Sequence, residues 1–227
     1  MLSALQQRVA GIIATLPEAE DFALAGGAAL IVHGAIDRST RDLDFFGLVP
    51  DTVDLLAPAA ERALQEDGLL VERVLDSPGF VRFLVVGRDG RTEVDLGSDA
   101  RLFPVEQGPG FQLLAPEELA VDKVLAVFGR AEARDFMDLM AIEGQFGLDR
   151  LFRAAADKDR GFDLKVFAEM TDRFDRLRRD EFPLDDEEYG RLARLVPLWR
   201  SHARELGREQ GRLREPGHDL GDDLGIG

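Results

Sequence analysis

The segment from Phe22 to Phe46 places the tightest limits on what this chain can fold into. Asp21–Ala25 has the length and apolar character of a short buried strand, and Gly26-Gly27 breaks it. Ala28–His33 suits a short helix closed by Gly34. A polar loop with Arg38, Ser39, Thr40 and Arg41 then leads into a second strand, Arg41–Val49, that stops at Pro50. Alternate residues of a strand share a face, so Asp42 and Asp44 are expected together, turned away from Leu43 and Phe45.

Spacing alone carries little here. With 44 acids among 227 residues, chance supplies roughly eight acidic pairs at i and i+2. Glu18/Glu20, Asp157/Asp159 and Asp185/Glu187 are such pairs and read as solvated surface. Asp42/Asp44 differs in context, lying in an apolar run just downstream of a strand, two glycines and a helix. A third acid is then expected on a neighbouring strand, and Glu93-Val94-Asp95-Leu96 supplies it in Asp95, flanked by two apolar residues. Three converging carboxylates can hold two Mg²⁺ ions, which favour oxygen ligands and keep substrate phosphates in their shells. Such a pair, about 3.5–4 Å apart, stabilises both the attacking and leaving oxygens of an in-line displacement. Asp95 is also placed to accept the proton of an attacking hydroxyl. The competing reading pairs these acids with Arg38, Arg41 or Arg91 at a sheet edge, and the glycine turn favours the metal.

Gly26-Gly27 before a helix start presents backbone N–H groups to a phosphate, and the missing side chains permit close approach. Arg38, Ser39 and Arg41 read equally as triphosphate contacts or as loop and ion-pair residues. His33, on an otherwise apolar helix, reads as a packed histidine. Lys123 is one of only three lysines and sits inside the apolar run A-V-D-K-V-L-A-V-F. It either reaches the cleft as a point charge on the triphosphate or snorkels to solvent. Asp135 and Asp138 share a helix face at i, i+3, where one can cap or pair with Lys123 or Arg130.

Around this core the pattern predicts a helix over Leu2–Leu16 and another from Asp51 or Thr52 to Gln65. Strands follow over Leu69–Leu75, Phe80–Val86 and Arg91–Leu96, the last two joined at the turn signal Asp89-Gly90. From Ala115 onward the signals are helical: to Phe128, Ala133–Phe146, Leu148–Ala156, Phe162–Arg178 and Glu187–Leu206. The expected architecture is α+β, a small mixed-sheet core over 1–114 followed by a helical domain over 115–206. Residues 207–227, rich in Gly and Asp, read as a disordered tail.

Composition narrows the function. The chain has no cysteine, which excludes disulfides and thiolate metal sites, and His33, His202 and His218 lack the spacing of zinc ligands. No apolar run approaches a membrane span and the N-terminus reads as an amphipathic helix, so the expected compartment is the cytoplasm. A net charge of −16 argues against a whole surface built for nucleic acid and leaves room for a local basic groove. Arg200, Arg204 and Arg208, with Arg191 and Arg194 before them, are the best local candidate for such a groove. A solvated arginine stripe paired with Glu205 and Glu209 is the favoured alternative.

Two longer strings carry a family resemblance. G-G-x-A-L-x-x-x-G followed by R-x-T-R-D-L-D-F resembles the first motif of the DNA polymerase β-like nucleotidyltransferase superfamily, and is closer still to its AbiEii/AbiGii toxin branch. D-K-V-L-A-V-F-G-R-x-x-x-R-D-F-M-D-L is similar to a later segment of that branch, with Arg134 where a lysine is usual. The resemblance, over about residues 22–142, implies metal-dependent transfer of a nucleotide from an NTP to an acceptor. By it Gly26 and Gly27 match the phosphate turn, and Asp42 and Asp44 the metal ligands. Asp95 matches the third acid, with Glu93 on the same strand as an alternative. Lys123 and Asp135 match a lysine and a downstream aspartate, with Asp138 as the alternative to the latter. The resemblance further implies a toxin of a type IV toxin–antitoxin pair, with an antitoxin partner and tRNA, other RNA or another cellular molecule as acceptor. A small-molecule acceptor and a catalytically silent nucleotide-binding module are the competing expectations.

Overall fold

The computed structural model describes the backbone of residues 1–214 and the side chains of residues 1–209. Helix α1, Ala4–Ala14, begins at a capping box in which Ser3 and Gln6 each satisfy the other's backbone N–H. It buries Leu5, Gln6, Val9, Ala10 and Ile13 on one side. After a 3-10 turn, β1 (Ala23–Ala25) runs directly into α2 (Gly26–Val32), so the two glycines are the first turn of the helix and not a break before it. The next elements are β2 (Asp42–Gly47), α3 (Pro50–Glu66), β3 (Leu70–Ser77), β4 (Phe80–Gly87) and β5 (Gly90–Ser98).

Two-residue strands β6 (Glu106–Gln107) and β7 (Gln112–Leu113) complete a seven-stranded sheet in the order β3-β4-β5-β2-β1-β7-β6. The sequence pattern missed both, because two residues are too few to show alternation. The sheet is mixed: β2 runs parallel to β5 and β1 parallel to β7, and the other neighbours are antiparallel. Strand alternation then decides what each face carries. Leu43 and Phe45 of β2, Val81, Phe83 and Val85 of β4, and Thr92, Val94 and Leu96 of β5 are buried. Gln6 of α1 donates to Thr92 at 3.4 Å, which puts α1 on that face. Burying a side chain such as Phe83 is worth about 2–3 kcal/mol. The other face carries Asp42, Asp44, Glu93, Asp95 and Arg82.

The β4–β5 hairpin corrects a register. Its two turn residues are Arg88 and Asp89, and Gly90, at φ 142°, is already the first residue of β5. A turn centred on Asp89-Gly90 would set Leu84 against Asp95. The observed turn sets Arg82 there instead.

The helical half consists of α4 (Pro116–Gly129), α5 (Ala133–Ile142), α6 (Leu148–Lys158), α7 (Leu164–Met170) and α8 (Asp186–Arg214). The helix expected over Phe162–Arg178 is divided. Asp163 caps α7 by accepting from the N–H groups of Lys165 and Val166, and the chain tightens into a 3-10 turn over Thr171–Arg176. Helix α8 runs eight residues past Leu206, so the first part of the expected tail is helical; residues 215–227 lie outside the described residues. One continuous cluster of buried side chains joins the sheet to the helices, from Val9 and Leu24 through Val124 and Phe136 to Trp199. No helix among the described residues is long and apolar enough to cross a membrane.

Candidate active site

Strand register assembles the acids. Asp42 lies opposite Glu93, and Asp44 opposite Asp95, across the parallel β2–β5 pair. On the other side of β2, Asp44 lies opposite Ala25, the residue before Gly26. The glycine turn, Asp44, Asp95 and Arg82 therefore form one row across four adjacent strands. Gly26 has φ 59°, a conformation that favours glycine, and a Cβ there would fall 1.9 Å from an Asp44 carboxylate oxygen. A Cβ on Gly27 would meet Thr40 Oγ1 at 3.2 Å and an Arg38 nitrogen at 3.3 Å. Both glycines are thus close approaches of backbone to functional side chains.

The carboxylates have different fates. The Thr40 hydroxyl donates to Asp42 at 2.5 Å, and Arg134 lies 3.6 Å from its other oxygen. Both oxygens of Asp95 are taken by Arg82, whose guanidinium donates at 2.7 and 2.6 Å. Asp44 has neither a hydrogen bond nor an ion pair from any described side chain. Burial, and then the charges of Asp42 and Asp95, push its carboxyl up to about 7, against the weaker pull of Lys123 and Arg134. An unpartnered, partly buried carboxylate between two others fits a cation. Asp95 faces Arg82, however, and among the described residues no three acids or histidines converge as a ready set of metal ligands.

Further cations come from the helical half and from the loop before β2. Lys123 is buried within α4 and does not snorkel; its ammonium lies 3.0 Å from Asp138. Arg38, from the loop before β2, grips the same carboxylate with contacts of 2.8–3.1 Å. Asp138 thus ties the loop beside Gly27 to Lys123. Asp135 is turned elsewhere: Arg130 holds both its oxygens at 2.9 and 2.8 Å, and it accepts the Glu132 N–H at the start of α5. Although burial opposes it, this bonding, with Lys123 nearby, holds the Asp135 carboxyl below its usual range. Asp138, not Asp135, is therefore the aspartate that reaches Lys123.

Ser39 and Arg41 are exposed, and neither side chain contacts the acids. The Arg41 carbonyl accepts from Thr92 Oγ1 and from the Glu93 N–H, and Gln6 donates to the Thr40 carbonyl at 3.1 Å. The loop end is thereby pinned where Asp42 enters the row. His33 is a packed residue, with its ring Nε2 3.0 Å from the Leu114 carbonyl. Arg200 is tied to Thr171, Asp172 and Asp175, which withdraws it from the proposed basic stripe. Thr40 and Arg134 were noted in the sequence without a role at the acids, and Arg82 was not noted; only the hairpin register could have pointed to Arg82.

Comparison with known proteins bears on the family and on the fold. A family described as nucleotidyl transferase AbiEii toxin, type IV TA system, matches residues 9–219. The fold is similar to that of JHP933 from Helicobacter pylori, with a TM-score of 0.50 and 19% identity over 95% of this chain and 100% of that one. A second Helicobacter pylori structure, described as a candidate nucleotidyltransferase, gives a TM-score of 0.49 and 19% identity over 93% and 96% of the two chains. No curated protein shows a significant match.

Proposed function

The chain belongs to the AbiEii family of nucleotidyl transferase toxins, and from that premise we propose a Mg²⁺-dependent transfer of a nucleoside monophosphate from an NTP to an acceptor hydroxyl. The hydroxyl oxygen attacks the α-phosphorus, the bond to the bridging oxygen of the β-phosphate breaks, and pyrophosphate leaves. The observation that carries this reading is the row in which Ala25, just before Gly26, stands in register with the unpartnered Asp44 and with Asp95, while Gly26 itself packs against the Asp44 carboxylate.

Asp42 and Asp44 would hold the divalent cation, joined by Asp95 once Arg82 releases it. The bound ion would supply charge stabilisation for the phosphoryl oxygens. Gly26 and Gly27 admit the triphosphate against the backbone. Lys123 and Arg38, both fixed by Asp138, offer it positive charge that costs no reorganisation at the moment of reaction. Asp95, once free of Arg82, would take the acceptor proton. Asp135 acts by shaping the start of α5, and Ser39 and Arg41 would meet the triphosphate from the exposed loop before β2.

The AbiEii assignment to type IV toxin–antitoxin systems supports an antitoxin protein as partner. An RNA end and a small molecule both supply a hydroxyl, and labelled NTPs offered with total RNA and with small-molecule pools separate the two. The central test is titration calorimetry with NTP and Mg²⁺. Native protein is expected to bind with a dissociation constant of about 1 μM–1 mM, and Asp42→Ala/Asp44→Ala to lose that binding. Native protein that binds no nucleotide in the presence of the metal refutes the reading.

A further inference from the structure

Asp95 faces two claims. By register it stands beside Asp44, where a cation is called for, yet Arg82 directly across the β4–β5 pair already occupies both its oxygens. A two-pronged guanidinium contact of this kind takes up the lone pairs that a metal would use.

Arg82 is not locked in place. Its side chain is 40% exposed on the open face of the sheet, with the Phe80 ring 5.9 Å from the guanidinium carbon. A second acceptor stands ready: Glu93, two residues before Asp95 on the same face of β5, lies 3.7 Å from Arg82 Nε and is itself half exposed. Glu93 lies opposite Asp42 in the parallel pair, so its carboxylate borders the same row. Since Glu93 already lies within 4 Å of the guanidinium, a change of partner calls for rotation of the Arg82 and Glu93 side chains.

We propose that Arg82 is a positioning residue that holds Asp95 in the metal-free protein and passes to Glu93 when a divalent cation takes Asp95. The inference rests on reading Asp42, Asp44 and Asp95 as cation ligands. It gives Glu93 a part distinct from Asp95: one acid receives the metal and the other receives the displaced arginine. The exchange keeps a positive charge beside Asp95 in both states, so the acid row is not left to repel itself. It also makes entry of the cation a competition with an internal charge.

The test is a Mn²⁺ titration of the full chain, with free Mn²⁺ read from its electron paramagnetic resonance signal. The proteins are native, Arg82→Gln, Glu93→Gln and the double variant. Removing the competing guanidinium is expected to tighten Mn²⁺ binding by about tenfold. Glu93→Gln is expected to weaken it by about threefold while Arg82 is present, and to change little once Arg82 is gone. Arg82→Lys keeps the charge without the two-pronged grip and is expected to fall between native and Arg82→Gln. It carries the test if circular dichroism shows Arg82→Gln to be unfolded. Unchanged or weaker Mn²⁺ binding in these Arg82 variants overturns the proposal and leaves Arg82 a strut that orients Asp95. An equal loss from Glu93→Gln with and without Arg82 also overturns it, because a simple attraction of Mn²⁺ to Glu93 behaves that way. Native protein that binds no Mn²⁺ removes the cation reading itself, and this inference with it.

Discussion

Two regions of the protein each bring three carboxylates together, and they are neutralised in different ways. Asp99, just after β5, and Glu118 and Asp122 of α4 surround Lys158 of α6, whose side chain is almost fully buried and whose ammonium lies 3.0 Å from Asp99 and 2.7 Å from Glu118. Glu118 also accepts the N–H groups of Leu102 and Phe103, each at 2.8 Å, which ties the loop after β5 to the helices. Burial works against the Lys158 charge, but its three acidic neighbours outweigh it and raise its pKa. On the sheet, Asp42, Asp44 and Asp95 share one face, with Arg82 on Asp95, Arg134 at a distance from Asp42 and, among the described side chains, no partner on Asp44. The first cluster takes its cation from the chain and serves as a joint between the two halves. The second leaves a carboxylate without a partner and suits a cation from solution. Clustered acids are therefore not a functional signal by themselves; the unmet charge is.

The largest effect is expected where the internal cation is removed. Lys158→Met leaves Glu118 and Asp122 buried without their partner and should cost roughly 3–5 kcal/mol in urea unfolding. A loss below about 1 kcal/mol would break the comparison by showing that the acids manage without Lys158.

Asp44→Asn should act in the opposite direction. The folded-state value of Asp44, about 7, is raised from 3.8. The folded protein therefore holds more protons than the unfolded chain between those values, and this group's contribution to stability falls as pH rises through that window. The variant should gain about 1–3 kcal/mol over native protein at pH 8 without metal, and nothing at about pH 4. The same variant should lose about 10²–10³-fold in nucleotidyl transfer, read as pyrophosphate release. A residue that destabilises the free protein while supporting its activity marks a site and not a joint.

The smallest effect sharpens the contrast within the Lys158 cluster. Burial is the main reason that Asp122 is raised to about 6, and Lys158 offsets only part of it. By the same sign, its contribution to stability declines as pH rises from about 4 to about 6. Asp122→Asn should flatten the pH dependence of the unfolding midpoint across that window, by on the order of 1 kcal/mol.

Much of the sheet could be read in advance because its signals are local. Alternation along β2 and β5 placed Asp42, Asp44 and Asp95 on one face, and Gly26-Gly27 marked the passage from strand to helix. Helix α7 was misread as part of a longer helix because an apolar period continues through Thr171, where a buried hydroxyl instead bonds back to the Ala168 carbonyl. The Arg82–Asp95 pair depended on a hairpin turn whose placement, one residue earlier than the Asp-Gly signal suggests, changes which residues face each other.

By itself the sequence determined the α+β architecture, the glycine turn and the acid-bearing strands, since strand period and turn chemistry act over a few neighbouring residues. Only the tertiary structure decided how charges are shared. Asp138 receives both Lys123 and Arg38, the latter from 100 positions away, while Asp135 goes to Arg130. Lys158 reaches Glu118 across 40 positions, and among the described side chains none pairs with Asp44. Which carboxylate meets which cation depends on where helices pack against the sheet, and that distance is not written in any local pattern.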